Sequence, residues 1–155
     1  MSVHASTAAH AVVIALSALF PSVRVALRDP LRLDAFTVRA KLIEYACRDA
    51  GLRRCSIVHG IAFVESGYRL RHHRSPLTGC QPYTTDDWQQ ATCAVRAVAA
   101  AERRCRTASR ALVRYQYGEC AVPRGRRYRR ARAASARYVR NVMTIATRVA
   151  REGVR

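Results

Sequence analysis

The sequence predicts a mostly α-helical protein with a single domain. Half of its 155 residues are hydrophobic, which suffices for one modest core, and a chain of this length fits one folding unit. It has only seven glycines and five prolines, and alanine, leucine, valine and arginine are abundant. This composition favours helices over a strand-rich sandwich or barrel. Apolar residues also recur at helical spacing in several segments.

The first 33 residues differ from the rest of the chain. An apolar stretch from Ala8 to Phe20 has the length of a signal sequence and is too short to span a membrane. The alternative for this stretch is a helix that docks on the core. Residues Ser22 to Leu33 mix proline, arginine and aspartate without a period, which is typical of a linker. We therefore predict an apolar segment and linker over residues 1–33, and one domain over residues 34–155.

Two helices are expected in the first part of that domain. The first begins at Asp34, a candidate N-cap, and ends before Gly51. The second runs from Ser56 to Ser66 and ends before Gly67. One face of this second helix carries Val58, Ile61, Ala62 and Glu65. Glu65 is therefore expected to point inward, at the end of an apolar run.

A long ordered loop is expected from Tyr68 to Thr85, because this stretch contains glycine, prolines and polar residues. The remaining helices are predicted from Asp86 or Asp87 through Val98 and beyond, from Ala108 to about Tyr117, and from Ala133 to Arg151. The last of them is amphipathic, so it is expected to pack one face on the core.

The charge balance predicts an anionic partner. The chain carries 28 basic and 10 acidic residues, a net charge of +18, and Lys41 is its only lysine, so the positive field comes almost wholly from guanidinium groups. Nucleic acid, anionic lipid and acidic wall polymers would all satisfy this field. The basic run from Pro123 to Arg132, with Tyr128 inside it, fits phosphate binding or a simply solvated surface.

Six cysteines without CxxC spacing favour disulfides over a zinc site. Sequence neighbours suggest the pairs Cys47 with Cys55, Cys80 with Cys93, and Cys105 with Cys120, although about 15 connectivities are open. Free buried thiols are the alternative. Disulfides imply an oxidising compartment, so we expect an exported protein of the periplasm or cell envelope. We expect no cofactor and no metal, because His72 and His73 lack a third ligand at zinc spacing.

Glu65 is the candidate chemical group. A carboxylate on the apolar side of a helix loses hydration, which raises its pKa toward the range in which it donates a proton at neutral pH. An arginine close by would have the opposite effect and would hold the carboxylate in a structural ion pair. From the helix pattern alone both interpretations are open.

Four segments resemble the lysozyme-like lytic transglycosylases that cut bacterial peptidoglycan, and they occur in the order of that family. They are "IAFVESGYR" with Glu65, "SPLTGCQPY" from Ser75, "ALVRYQYG" from Ala111 and "YVRNVM" from Tyr138. Together they span roughly Val38 to Ala150. The resemblance implies a lysozyme-like helical domain with an ordered loop after the catalytic helix.

The resemblance also implies the roles of individual residues. Glu65 would be the catalytic acid and base, Tyr115 would bind near it and the substrate's N-acetyl group, and Ser66 would steady the carboxylate or a sugar. Further substrate contacts would come from Ser75, Gln81 and Gln116. The chain departs from the family pattern in two places: the Gly-Leu-Met-Gln of the family is here Gly79-Cys80-Gln81-Pro82, and Gln116 replaces an asparagine.

The implied reaction cleaves the β-1,4 bond between N-acetylmuramic acid and N-acetylglucosamine. Glu65 protonates the bridging oxygen, then accepts a proton from the 6-hydroxyl of the muramic acid, which closes a 1,6-anhydro ring. Hydrolysis by water is the second choice, with Asp86 or Asp87 as base, although both are also suited to helix capping.

Two functions follow from the sequence. The first is a peptidoglycan lytic transglycosylase that binds glycan strands and not nucleic acid, with the N-terminal segment available for association with the membrane or with envelope machinery. The rival is a non-enzymatic, arginine-rich binding protein for nucleic acid or acidic surfaces. This alternative explains the net positive charge. It offers no reason for the inward position of Glu65 or for the family order of the four segments.

Overall fold

The computed structural model describes residues 3–68 and 86–153, with side chains from Ala8 onward. These ranges contain helices and no strand, which confirms the mostly α class. The helices are α1 (Val3–Leu19), α2 (Pro21–Ala26), α3 (Pro30–Asp49), α4 (Cys55–Ser66), α5 (Asp87–Cys105), α6 (Ala108–Tyr117) and α7 (Arg129–Arg151). A short 3-10 helix, Arg126–Tyr128, precedes α7. Within the described ranges, no helix combines the length and apolar character needed to cross a membrane.

Helix α4 is the central element of the core. Every residue from Cys55 to Ala62 is buried, as expected for a helix that is surrounded by other helices. It packs chiefly along α7, while α5 pairs with α6, and α1 and α5 both pack on α3. The predicted bounds of α4, from Ser56 to Ser66, are confirmed to within one residue.

A close approach between α4 and α7 depends on Gly60. A Cβ atom at this position would lie 2.7 Å from the carbonyl oxygen of Val142 and 3.0 Å from its Cγ1 atom. Only glycine therefore lets the two helices meet at this distance. The buried face of α7 includes Val142, Ile145 and Val149, which confirms its predicted amphipathic character.

The stretch from Ser22 to Leu33, which is predicted as a linker without regular structure, is helical over most of its length. It contains α2 up to Ala26, a turn over residues 27–29 and the first turn of α3. Helix α3 begins at Pro30, four residues before the predicted start at Asp34. The Asp29 side chain caps it by accepting a hydrogen bond from the Leu31 amide at 3.0 Å. Proline suits the first helical position because the amide hydrogen that it lacks would have no partner there.

Helix α1 packs on α3 and α7. Its Ala9, Val12 and Leu16 are fully buried, so in the structure this apolar stretch is part of the core. The division predicted between residues 33 and 34 falls inside α3.

The other helix ends follow local signals in the sequence. Asp86 caps α5 through the Trp88 amide at 2.8 Å, and Thr107 caps α6 through the Arg110 amide at 3.3 Å. Helix α7 begins at Arg129 and not at Ala133 as predicted, so part of the basic run is helical.

Two of the predicted disulfides are confirmed. Cys47 is bonded to Cys55, between α3 and α4, and Cys105 is bonded to Cys120, between the end of α5 and the loop after α6. The third predicted pair includes Cys80, which lies outside the described residues.

Candidate active site around Glu65

Glu65 lies in the last turn of α4, and the backbone that follows fixes this turn. Gly67 adopts the left-handed conformation with φ of 56°. Its amide donates to the Phe63 carbonyl at 2.8 Å, and the Tyr68 amide donates to the Ala62 carbonyl at 3.0 Å. The first bond is that of the left-handed helix end, and together the two bonds satisfy two of the last carbonyl groups of the helix. The Glu65 side chain is therefore held at a defined end of a buried helix.

Tyr138 of α7 contacts Glu65 directly. Its hydroxyl donates a hydrogen bond to Glu65 Oε1 at 2.7 Å. Burial, followed by the nearby Glu65 and Tyr115 and the hydrogen bond to Glu65, raises the pKa of Tyr138 well above its ordinary value. The phenol therefore keeps its proton and remains a donor. A bond of this kind is strongest when the carboxyl group is ionised.

Tyr115 of α6 belongs to the same cluster. Only 3% of its surface is exposed. Burial is the main cause that raises its pKa, and the negative charge of Glu65 is the second. An influence of Glu65 on this phenol requires the two groups to be near each other, since charge effects weaken with distance. Helices α4, α6 and α7 thus each bring one side chain of the cluster.

Glu65 as a whole residue is only half-buried. Its orientation is fixed by the bond to Tyr138. A carboxyl that is both oriented and partly accessible can exchange a proton with a bound molecule.

A groove of about 470 Å³ adjoins this cluster. It is lined by Val64, Gln116, Arg130, Ala133, Ala134, Arg137, Tyr138 and Asn141. Its volume falls within the range of about 300–1,000 Å³ that is usual for small-molecule sites. Glu65 itself does not line the groove, but its chain neighbour Val64 and its hydrogen-bond partner Tyr138 do. Two arginines make this surface cationic.

Gln116 offers an acceptor at this groove. Its Oε1 atom is buried and has no hydrogen-bond partner within residues 3–68 and 86–153. Buried polar atoms in proteins usually have a partner, and a ligand or a water molecule is one way to supply it. A hydrogen-bond donor bound in the groove would satisfy Gln116.

The other predicted site residues lie elsewhere or outside the described ranges. The Ser66 hydroxyl donates to the Ala62 carbonyl of its own helix at 3.0 Å. Ser75, Gln81, His72 and His73 fall in the range 69–85, outside the described residues. The Asp87 carboxylate accepts from Arg39 Nε at 3.4 Å, and Asp86 is the cap of α5. The capping interpretation therefore holds for Asp86, whereas Asp87 pairs with Arg39 of α3.

Tyr138 was not among the residues predicted for the site. The sequence places it on the core face of the last helix and within the segment "YVRNVM", so a signal was present. The segment does not indicate which turn of α7 lies opposite Glu65. That depends on how α4 and α7 cross.

No protein-family model, curated protein or solved structure matches the chain. The class of protein is therefore defined by fold and site: a small helical domain in which a half-buried carboxyl group, held by a tyrosine, lies beside a cationic groove.

Proposed function

We propose that this protein is a peptidoglycan lytic transglycosylase with a lysozyme-like helical fold, in which Glu65 acts first as general acid and then as base. The observation that carries the proposal is the hydrogen bond from Tyr138 to Glu65 Oε1 at 2.7 Å, with Tyr115 beside it. It gives the single carboxyl group of such an enzyme a defined orientation.

The resemblance of separate segments supports the same conclusion. Three of the four segments lie within or largely within the described residues, on α4, α6 and α7. Their residues Glu65, Tyr115 and Tyr138 meet in one cluster. Segments that matched by chance would have no reason to converge on the same carboxyl group.

The reaction balances without water. Glu65 gives its proton to the bridging oxygen as the bond from that oxygen to the anomeric carbon breaks, and positive charge develops on the sugar ring. The 6-hydroxyl of the same sugar then attacks the anomeric carbon and returns its proton to Glu65. Tyr138 favours the first step, because its hydrogen bond strengthens once Glu65 is ionised.

The groove suits the chemistry of a glycan strand with peptide side chains. Arg130 and Arg137 offer guanidinium groups, which bind carboxylates through paired hydrogen bonds. Gln116 Oε1 would accept a hydrogen bond from an amide N–H, such as that of an N-acetyl group. The net charge of +18 would also attract an acidic wall polymer.

Digestion of purified peptidoglycan, followed by mass analysis of the released fragments, tests the proposal. We expect 1,6-anhydro products from the native chain and none from Glu65→Gln, which keeps the shape of the side chain. Glu119→Gln is the matched control, since it removes the same charge from an exposed residue. Products with reducing ends would instead indicate hydrolysis. Release that persists in Glu65→Gln, or no release by the native chain, would overturn the proposal.

A second candidate function, anion binding without catalysis, is favoured by a different cavity. This cavity of about 350 Å³ lies between the α3–α4 turn and the α5–α6 turn. Four arginines line it: Arg53, Arg54, Arg103 and Arg106. Such a cluster is suited to phosphate or carboxylate groups.

Nucleic-acid binding across a salt series separates the two functions, because generic attraction to phosphates falls steeply with salt. Anion binding as the main function predicts affinity that survives moderate salt and is lost in Arg53→Ser/Arg54→Ser. The control Arg124→Ser/Arg126→Ser removes the same charge from exposed positions and should retain that affinity.

A further inference from the structure

Helices α3 and α4 bring a second set of reactive side chains together, at the opposite end of α4 from Glu65. We call it the α3–α4 cluster, and it consists of Glu44, Cys47, Cys55 and His59. Glu44 and Cys47 are three residues apart on α3, and Cys55 and His59 are four apart on α4, so each pair shares one helix face. The mechanism proposed for Glu65 uses none of them.

The cluster is almost entirely removed from solvent. His59 is fully buried, and Cys47 and Cys55 are each 3% exposed. The Glu44 side chain is 18% exposed. Buried polar groups of this kind are costly unless each one has a partner, and in the structure the two sulfur atoms are joined as a disulfide while His59 Nε2 contacts Glu44 Oε1.

The geometry is close to that of a zinc site. One ligand atom each from Glu44, Cys55 and His59 lies within 4.8 Å of the others, and His59 Nε2 is 3.9 Å from Cys55 Sγ. Zinc bonds of about 2.0–2.3 Å place tetrahedral ligand atoms about 3.3–3.8 Å apart. Cys47 lies outside this set of three ligand atoms, but its Sγ atom is bonded to Cys55 Sγ. Once reduction frees Cys47 Sγ, a rotation of its side chain would bring it in as the fourth ligand.

Tyr68 supplies the outer contact that a histidine ligand requires. Its hydroxyl contacts His59 Nδ1, and its ring stacks on Phe36 at 4.3 Å between centroids. Histidines that bind a metal through one nitrogen usually donate from the other to an oxygen atom, which fixes the ring.

We propose that the α3–α4 cluster is a redox-controlled zinc site, which is closed while its disulfide is intact and binds one Zn²⁺ after reduction. A dithiol reductant supplies two electrons and two protons, converts the disulfide to two thiols and becomes a disulfide itself. Zinc then replaces both thiol protons, which go to water, and binds the two thiolates, His59 Nε2 and the Glu44 carboxylate. The hydrogen on His59 moves to Nδ1, where it faces Tyr68. The proposal does not depend on the function of Glu65.

Protection of thiols in the native sequence tests the proposal without any substitution. The full chain is reduced, freed of reductant without air, and treated with an alkylating reagent in the presence or absence of Zn²⁺, and the labelled cysteines are mapped by mass spectrometry. We expect Zn²⁺ to slow the labelling of Cys47 and Cys55 at least tenfold, and to leave Cys105 and Cys120 unchanged. Equal labelling of all four, or protection of Cys105 and Cys120 alone, overturns the proposal.

Cobalt binding gives an independent readout. The reduced chain should take up one equivalent of Co²⁺ and develop the absorption of thiolate-to-cobalt charge transfer, which the oxidised chain should lack. Cys47→Ser/Cys55→Ser should abolish this absorption, and Cys105→Ser/Cys120→Ser should retain it. Circular dichroism reports whether each variant remains helical. Should the absorption be missing from the reduced native chain, or persist in Cys47→Ser/Cys55→Ser, the site does not exist.

Discussion

The hydroxyl of Tyr138 donates to Glu65 Oε1 at 2.7 Å, across 73 residues of sequence. This bond connects α7 to the last turn of α4 and gives the carboxyl group its orientation. Tyr115 of α6 lies beside it, so two phenols that keep their protons flank one carboxyl group. The proposed activity depends on this arrangement.

Removal of the Tyr138 hydroxyl is expected to slow catalysis more than it weakens folding. Hydrogen bonds to charged groups contribute about 1.5–3 kcal/mol, and Tyr138→Phe would lose this when Glu65 becomes ionised. We therefore expect the rate of anhydro-product release to fall about 10- to 100-fold. Tyr117→Phe on α6 is the control and should keep the native rate. A native rate in Tyr138→Phe would exclude a role of this bond in catalysis.

Alkaline pH is expected to unfold the protein through its buried tyrosines. Burial raises the pKa values of Tyr68, Tyr115 and Tyr138 in the folded chain, whereas in the unfolded chain they ionise near their ordinary value of about 10. The unfolded state therefore binds fewer protons above this pH, and the free energy of unfolding falls as pH rises. The stabilisation that the three protonated phenols provide is fully present below a pH of about 10.

Tyrosinate absorbance and helical circular dichroism, recorded together from neutral to alkaline pH, check this expectation. Of the seven tyrosines, three should ionise only when the helical signal is lost. Ionisation of all seven near their ordinary pKa, with the helices intact, would contradict it.

Gly60→Ala is expected to destabilise the fold. Alanine is the better helix former by about 1 kcal/mol, but its Cβ atom would lie 2.7 Å from the Val142 carbonyl oxygen. The helices α4 and α7 must then move apart, which typically costs about 1–3 kcal/mol. Denaturant unfolding measures the difference. Ala136→Gly, on the exposed side of α7, measures the effect of helix propensity alone. A gain of stability in Gly60→Ala would contradict the close approach of α4 and α7.

Arg106→Gly is expected to stabilise the protein. Arg106 ends α5 in the left-handed conformation, with φ of 63°, and this conformation costs residues other than glycine about 1–2 kcal/mol. The free energy of unfolding should rise by about 1 kcal/mol, given the greater entropy of glycine in the unfolded chain. Arg110→Gly, within α6, removes the same charge and should lower stability instead. If both substitutions change the free energy of unfolding in the same direction, backbone strain at Arg106 does not explain the effect of Arg106→Gly.

Local signals were sufficient for much of the fold. The bounds of α4, the ends of α4 and α6 at Gly67 and Gly118, and the N-cap of α5 all depend on a few consecutive residues, and they are confirmed. The two disulfides join cysteines only 8 and 15 residues apart, so proximity in sequence was a useful guide. The start of α3 at Pro30 is missed by the prediction, because the residues around it show no clear helical spacing of apolar side chains. The local helix-start signal is the pair Asp29-Pro30.

The sequence by itself thus determined the helical class, the central helix and the inward side of that helix on which Glu65 lies, since spacing along one helix is fixed by its 3.6-residue period. Only the tertiary structure decided that Tyr138 and Tyr115 face Glu65, and that Glu44 and Tyr68 enclose His59. The partners in these clusters lie on different helices or beyond a helix end. Which turns meet depends on how closely the helices approach, and the missing side chain at Gly60 sets that distance for α4 and α7.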